Sequence, residues 1–126
     1  MDGGSRGNPG PAAIAAVASG PGGEVLAERS EAIGSTTNNV AEYRAMLLGI
    51  ALAKELKADE VELIGDSELI VRQVQGKYRV KQEHLQPLHT KVIDALRELP
   101  KWSIRSVKRE QNERADELVN EALDAG

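Results

Sequence analysis

The stretch "VELIGDSELIVRQVQG", Val61 to Gly76, changes its periodicity at a single carboxylate. Val61 to Gly65 is a short apolar run of strand length, and "SELIVRQVQG" reads as a helix that Gly76 stops. Asp66 stands at the junction. A strand that feeds directly into a helix is the building unit of an α/β domain, and in open α/β sheets ligands bind outside the C-terminal ends of the strands. The competing reading is local: an Asp ahead of Ser67 can simply cap the helix.

Working outward, the chain alternates in the same manner. Upstream, "AAIAAVASG" (Ala12 to Gly20) is small and apolar and reads as a strand, "GPGG" as a turn, and "EVLAERSEAI" (Glu24 to Ile33) as a second strand paired with the first in a hairpin. "GSTTNN" then offers helix-capping residues, and "VAEYRAMLLGIALAKEL" (Val40 to Leu56) carries Tyr43, Met46, Leu47 and Ile50 at helical spacing. Downstream, "QEHLQPLHTKVIDALREL" (Gln82 to Leu99) aligns Leu85, Leu88, Val92, Leu96 and Leu99 on one stripe, with Pro87 early enough to sit near a helix start or to break a short helix from a long one. "WSIRSV" (Trp102 to Val107) alternates as a strand, and "NERADELVNEALDA" (Asn112 to Ala125) closes the chain as a helix. The order predicts a mixed α/β domain whose crossovers make the strands of the second half parallel. With 126 residues and no repeat or linker, residues 1–126 read as one domain.

Composition narrows the function classes. Hydrophobic residues make up 40% and charged residues 29%, and no apolar run approaches the roughly 20 residues of a membrane span. No membrane association, signal peptide or protein partner is predicted. Cysteine is absent, which excludes thiolate chemistry and fits a cytoplasmic setting. One Trp, two Tyr and no Phe leave little for stacking on single-stranded bases. A net charge of −4 argues against holding nucleic acid by bulk charge, while leaving local patches open. His84 and His89, five apart, do not share a helix face and read as surface residues. "GKY" at Gly76 lacks the nucleotide-binding lysine-loop pattern. "KYRVK" (Lys77 to Lys81) is basic and reads equally well as a nucleic-acid contact or a solvated loop.

Four carboxylates stand at the ends of predicted elements: Asp2 before a glycine loop, Glu42 in the first turns of a helix, Asp66 after a strand, and Asp116 in the first turn of the last helix. Hard divalent cations take oxygen ligands, and two ions roughly 4 Å apart can activate a water and stabilise a leaving oxygen. Helix dipoles and caps also favour acids at these places, by about 0.3–1 kcal/mol each, so spacing alone leaves both readings open.

"DGGSRGNPGPAA", "TTNNVAEYRAML", "LIGDSELIVRQV" and "NERADELVNEAL" resemble, in order, the four signature segments of type 1 ribonuclease H, and the resemblance covers essentially the whole chain. It implies a ribonuclease H-like fold, a mixed five-stranded sheet of order 3-2-1-4-5 flanked by helices. It implies that Asp2, Glu42, Asp66 and Asp116 hold two Mg²⁺ ions, or Mn²⁺, and that water attacks in line to cut the RNA strand of an RNA–DNA hybrid, leaving 5′-phosphate and 3′-hydroxyl. By the same resemblance Asn8 and Asn39 read the hybrid's minor groove, with amides that both donate and accept. Thr37 contacts a phosphate of the DNA strand, with Asn38 and Ser67 in the same motifs; plain helix capping is the alternative for "TTNN".

Three departures from the family pattern shape the expectations. "GKYRVK" stands where many members carry a long basic protrusion, which predicts few phosphate contacts and steep salt sensitivity. Arg109 or Glu110 is the nearest substitute for a loop histidine before the last helix. Only Met1 precedes Asp2, so the first strand reads as truncated, as if trimmed, begun elsewhere, or completed by a neighbour. Two alternatives in function remain: a non-catalytic nucleic-acid-binding domain on this fold, and a related nuclease acting on DNA.

Overall fold

The structure, a computed structural model, describes residues 1–125. Three antiparallel strands open it: β1 (Asp2–Ser5), β2 (Gly10–Ser19) and β3 (Val25–Thr36). Asp2 pairs with Ala15 and Ser5 with Ala12, and β3 carries a bulge where Ala12 faces Gly34 but Ala13 faces Ala32. Helix α1 (Asn38–Glu55) follows, then strand β4 (Val61–Gly65), helix α2 (Glu68–Val74), a 3₁₀ turn (Glu83–Leu85), helix α3 (Gln86–Leu96), strand β5 (Trp102–Ser106), a second 3₁₀ turn (Arg109–Gln111) and helix α4 (Glu113–Ala125). β4 and β5 are parallel, Val61 opposite Trp102 and Gly65 opposite Ser106, joined by the α2–α3 crossover.

The expected architecture is present, with one refinement. The strands lie in two hydrogen-bonded pieces, β3-β2-β1 and β4-β5. Across the junction the Met1 ammonium donates to the Ile64 carbonyl at 3.0 Å. The Met1 carbonyl is not left bare, because Asn112 Nδ2 donates to it at 2.9 Å. Met1's side chain packs against Gly49, Gly65 and the main core.

β2 explains why helices cover both faces of the first sheet. Strand residues alternate sides, so Ala12 and Ile14 face Ala41 and Ala45 of α1, while Ala13 and Ala15 face Leu118 and Val119 of α4. Small side chains on both faces let both helices approach closely. α1 is therefore buried on two flanks. Its alanines meet the sheet, and Tyr43, Met46 and Ile50 join Ile70 of α2, Val92 and Leu96 of α3, and Leu63 and Ile104 of β4 and β5 in the main core.

Pro87 occupies the first turn of α3, where its missing N–H costs nothing, and a short 3₁₀ turn stands apart from the longer α-helix there, as one of the two readings of Pro87 has it. His89 is not a surface residue. It is half-buried, its Nε2 lies 3.1 Å from the Gln73 carbonyl, and its ring stands edge-on to Tyr43. His84 is exposed. Among the described residues no helix is long and apolar enough to cross a membrane.

Candidate active site

β1, α1 and the C-terminal end of β4 converge on one cluster of acids. Asp2 opens β1, Glu42 sits in the second turn of α1, and Asp66 follows the last residue of β4. Each offers an oxygen, and the three oxygens lie within 4.8 Å of one another. Asp116, from the first turn of α4, is not one of that trio, yet its carboxyl is near enough to help raise the pKa of Asp2. The four acids named from the sequence thus come together, three in a tight group and the fourth at its side.

Backbone contacts fix the group. The Gly3 N–H donates to Glu42 Oε1 at 2.7 Å, which ties β1 to α1. That contact requires close passage: a Cβ on Gly3 would stand 2.7 Å from the Glu42 nitrogen and nearer still to the Ala41 carbonyl. Burial pushes the Asp2 carboxyl up to about 7, with the charge of Asp66 as the next cause. Glu42 is also raised well above the usual carboxylate range, by burial first and then by the Asp2 charge, against the Gly3 N–H that favours its anion. The Met1 ammonium lies in the same region, and burial lowers its pKa against the opposing pull of Asp2, Glu42 and Asp66.

Asp66 provides the test of whether a cation fits. Its side chain is only 7% exposed, and buried Oδ2 has no hydrogen-bond partner among the described residues. The nearest cation is the exposed Arg109, with Nε 3.7 Å away, beyond hydrogen-bond reach. Buried carboxylate oxygens normally find donors, and an orphaned one calls for a missing partner. An oxygen-only, anionic donor set suits Mg²⁺ or Mn²⁺ and does not suit a soft metal.

The polar residues expected to touch substrate are partly committed within the fold. Thr37 Oγ1 accepts from the Val40 N–H as the cap of α1, and Ser67 Oγ accepts from the Ile70 N–H as the cap of α2. Asn8 Oδ1 accepts from the Asn38 N–H at 3.0 Å, and Asn38 Oδ1 accepts from the Ser5 N–H at 2.8 Å. Asn8 was expected both to donate and to accept outward. Its oxygen accepts one bond and that of Asn38 two, so their NH₂ groups and the second lone pair of Asn8 Oδ1 are what remain to offer. Asn39 lies apart from this knot and borders a groove of about 430 Å³ with Gln73, Lys77, Tyr78, Arg79 and Lys81. Glu110 is exposed on the turn beside Arg109.

Sequence reasoning missed two parts of this arrangement. Gly3 carries no side chain to signal its role, which is to lend an N–H to Glu42. Gln73 reads as one more polar residue on α2, yet it is buried, and Tyr43 Oη donates to its Oε1 at 2.6 Å. The position of Gln73 between apolar Val71 and Val74 was the available signal.

The two-sided sheet, the strand-end acids and the orphaned Asp66 oxygen define a candidate divalent-cation site on an α/β scaffold. Comparison with known proteins agrees. Residues 1–122 match the reverse transcriptase-like family. The chain is 42% identical over 124 residues to ribonuclease HI of Halobacterium salinarum, covering 98% of this chain and 62% of that protein. The crystal structure of RNase H1 from that archaeon superposes with a TM-score of 0.96, covering 99% of this chain and 95% of that one. LC11-RNase H1 in complex with RNA/DNA hybrid is 45% identical with a TM-score of 0.92, covering 98% of this chain and 94% of that one. The chain spans about three fifths of the halobacterial curated relative and about a third of a bifunctional protein of Mycobacterium tuberculosis to which it is 42% identical. The chain belongs to the reverse transcriptase-like family, in its type 1 ribonuclease H branch.

Proposed function

We propose that this chain, as one domain over residues 1–126, is an endonuclease that hydrolyses the RNA strand of RNA–DNA hybrids and leaves 5′-phosphate and 3′-hydroxyl ends. The observation that carries the reading is the partnerless Asp66 oxygen inside a trio of converging carboxylates. The related RNase H1 structure with bound RNA/DNA hybrid supports the substrate class. Two Mg²⁺ ions, or Mn²⁺ in their place, held by Asp2, Glu42, Asp66 and Asp116, would neutralise charge on the scissile phosphate and lower the pKa of water.

The chain's own residues hold and aim. Gly3 N–H keeps one Glu42 oxygen turned toward β1. Asp2, its pKa raised to about 7 by burial and the Asp66 charge, would give up its proton to hold a cation near neutrality. The NH₂ groups of Asn8 and Asn38 would donate to acceptors such as ribose 2′-oxygens and minor-groove ring atoms. Asn39 and the lysines and arginine of the groove supply donors and positive charge for a phosphate backbone. Arg109 places its guanidinium Nε 3.7 Å from Asp66 Oδ2, at the rim of the acidic cluster. The absence of cysteine fits a reducing cytoplasm as the working compartment.

The deciding experiment incubates the chain with labelled hybrid, duplex RNA and duplex DNA, each with Mg²⁺ and with chelator. Cleavage of hybrid RNA alone, lost on chelation, is the expected result. Asp66→Asn should lower it by roughly 100-fold or more, the scale of removing one preorganised electrostatic group. Binding without cleavage would instead identify a non-catalytic hybrid-binding domain, and cutting of duplex DNA a DNA nuclease.

A further inference from the structure

α4 lies on a bed of alanines. Ala13 and Ala15 are fully buried beneath Leu118 and Val119, and Val119 Cγ1 also faces the bare Gly4. Helix packing gains its angular specificity from ridges that enter grooves, and side chains of a single carbon offer shallow ones. Apolar contact brings α4 close but specifies its rotation and slide weakly.

Ion pairs at both ends supply what the alanines lack. Arg114, in the first turn, closes a fork on Glu28 of β3: Nε donates to Oε2 at 2.6 Å and Nη2 to Oε1 at 3.0 Å. Its remaining prong, Nη1, donates to Glu117 Oε2 at 3.0 Å, so the guanidinium plane is held from both sides. At the far end Arg6, in the β1–β2 loop, pairs with Asp124 at 2.7 Å. A two-pronged arginine–carboxylate pair fixes direction as well as distance, which a lysine cannot do. Arg114 precedes by two residues Asp116, the acid that stands at Asp2's side and outside the tight trio.

We propose that the Glu28–Arg114 fork positions the fourth acid of the site: it sets the rotation and slide of α4 over β2 and thereby holds Asp116 against Asp2 for divalent-cation binding. The inference rests on reading the acidic cluster as a cation site. Glu28 and Arg114 are positioning residues, which touch neither cation nor substrate. Both side chains are partly exposed, 29% and 44%. Exposed pairs contribute little to stability, so loss of the fork appears in cation affinity before it appears in melting.

The test measures Mn²⁺ binding to the full chain by titration calorimetry, without nucleic acid, so that no turnover is needed. Glu28→Gln removes the charge and Arg114→Lys keeps the charge but loses the fork. Each should weaken Mn²⁺ binding roughly 10-fold, the scale seen when groups that orient metal ligands are removed, with melting temperature nearly unchanged. In an Asp116→Asn background the same two substitutions should have no further effect on affinity. Unchanged affinity in the parent background overturns the proposal. So does an equal loss in the Asp116→Asn background, which would mark a general loosening of the fold. A chain that binds Mn²⁺ with this pattern yet fails to cut hybrid would remove the proposed activity and leave the positioning role standing.

Discussion

Gly3→Ala places one methyl group where β1 and α1 cross. The new Cβ would stand 2.7 Å from the Glu42 nitrogen, with the Ala41 carbonyl nearer still. Ordinary non-bonded contact needs about 3.5 Å, so α1 must retreat by roughly 0.8 Å or more. The obstacle is backbone on both sides, which no rotamer change relieves. Overpacking of this kind costs about 1–3 kcal/mol, offset by the 0.4–1 kcal/mol that Gly→Ala gains by restricting the unfolded chain. A net loss of about 1.3 kcal/mol lowers the melting temperature by roughly 5 °C for a domain of this size. The same retreat stretches the 2.7 Å bond from Gly3 N–H to Glu42 Oε1 and should weaken Mg²⁺ binding roughly 10-fold. Gly4→Ala is the matched control, because its Cβ would meet only Val119 Cγ1 at 3.8 Å, an ordinary contact. That variant should melt at or slightly above the parent temperature. Calorimetric melting and Mg²⁺ titration of the two variants side by side provide the check. If Gly3→Ala matches Gly4→Ala in both, the close crossing does not control the site and the reasoning fails.

Asp2 makes stability pH-dependent in a direction opposite to that of a salt-bridged acid. Its carboxyl rests at about 7 in the fold against an ordinary value of 3.8, so between those values the folded state holds a proton the unfolded state has lost. Stability without divalent cation should therefore fall as pH rises from about 4 to about 7; added Mg²⁺ should flatten the slope, and Asp2→Asn should reduce it in the same melting series. Asn8→Ala removes the acceptor for the Asn38 N–H at the start of α1 along with an outward NH₂. It should raise KM for hybrid several-fold and lower the melting temperature slightly, with Mg²⁺ affinity unchanged; a loss of metal binding would show that the residue belongs to the acidic site. Tyr43→Phe leaves the buried Gln73 Oε1 without its donor and should cost about 1–3 kcal/mol in denaturant unfolding; an unaltered midpoint would show that Gln73 finds another partner.

Much of the fold is local in origin and was legible in the chain. Strand β4, Asp66 and α2 follow from a run of apolar residues that changes period and then meets Gly76, and the observed strand keeps the bounds Val61–Gly65. The small apolar residues of Ala12 to Ser19 announced a strand, while its burial on both faces became visible only once α1 and α4 were packed on it. The four acids were visible because each stands at an element's end. Other features depend on residues far apart in sequence. Gly3 meets Glu42 across 39 positions, Asn112 meets Met1 across 111, and Arg114 meets Glu28 across 86. No periodicity encodes such pairs, since they exist only once two elements have been laid across each other. The same holds for Asn8 and Asn38: their side chains announce donors and acceptors alike, and only tertiary contacts decide that the acceptors are engaged within the fold. It holds too for the division of the sheet at Met1, where one ammonium and one asparagine stand in for a ladder. Sequence determined which residues could do chemistry, because residue type and position along an element are local properties. The tertiary structure decided which of their atoms remain free to do it, because hydrogen bonds and burial are assigned only when distant segments pack.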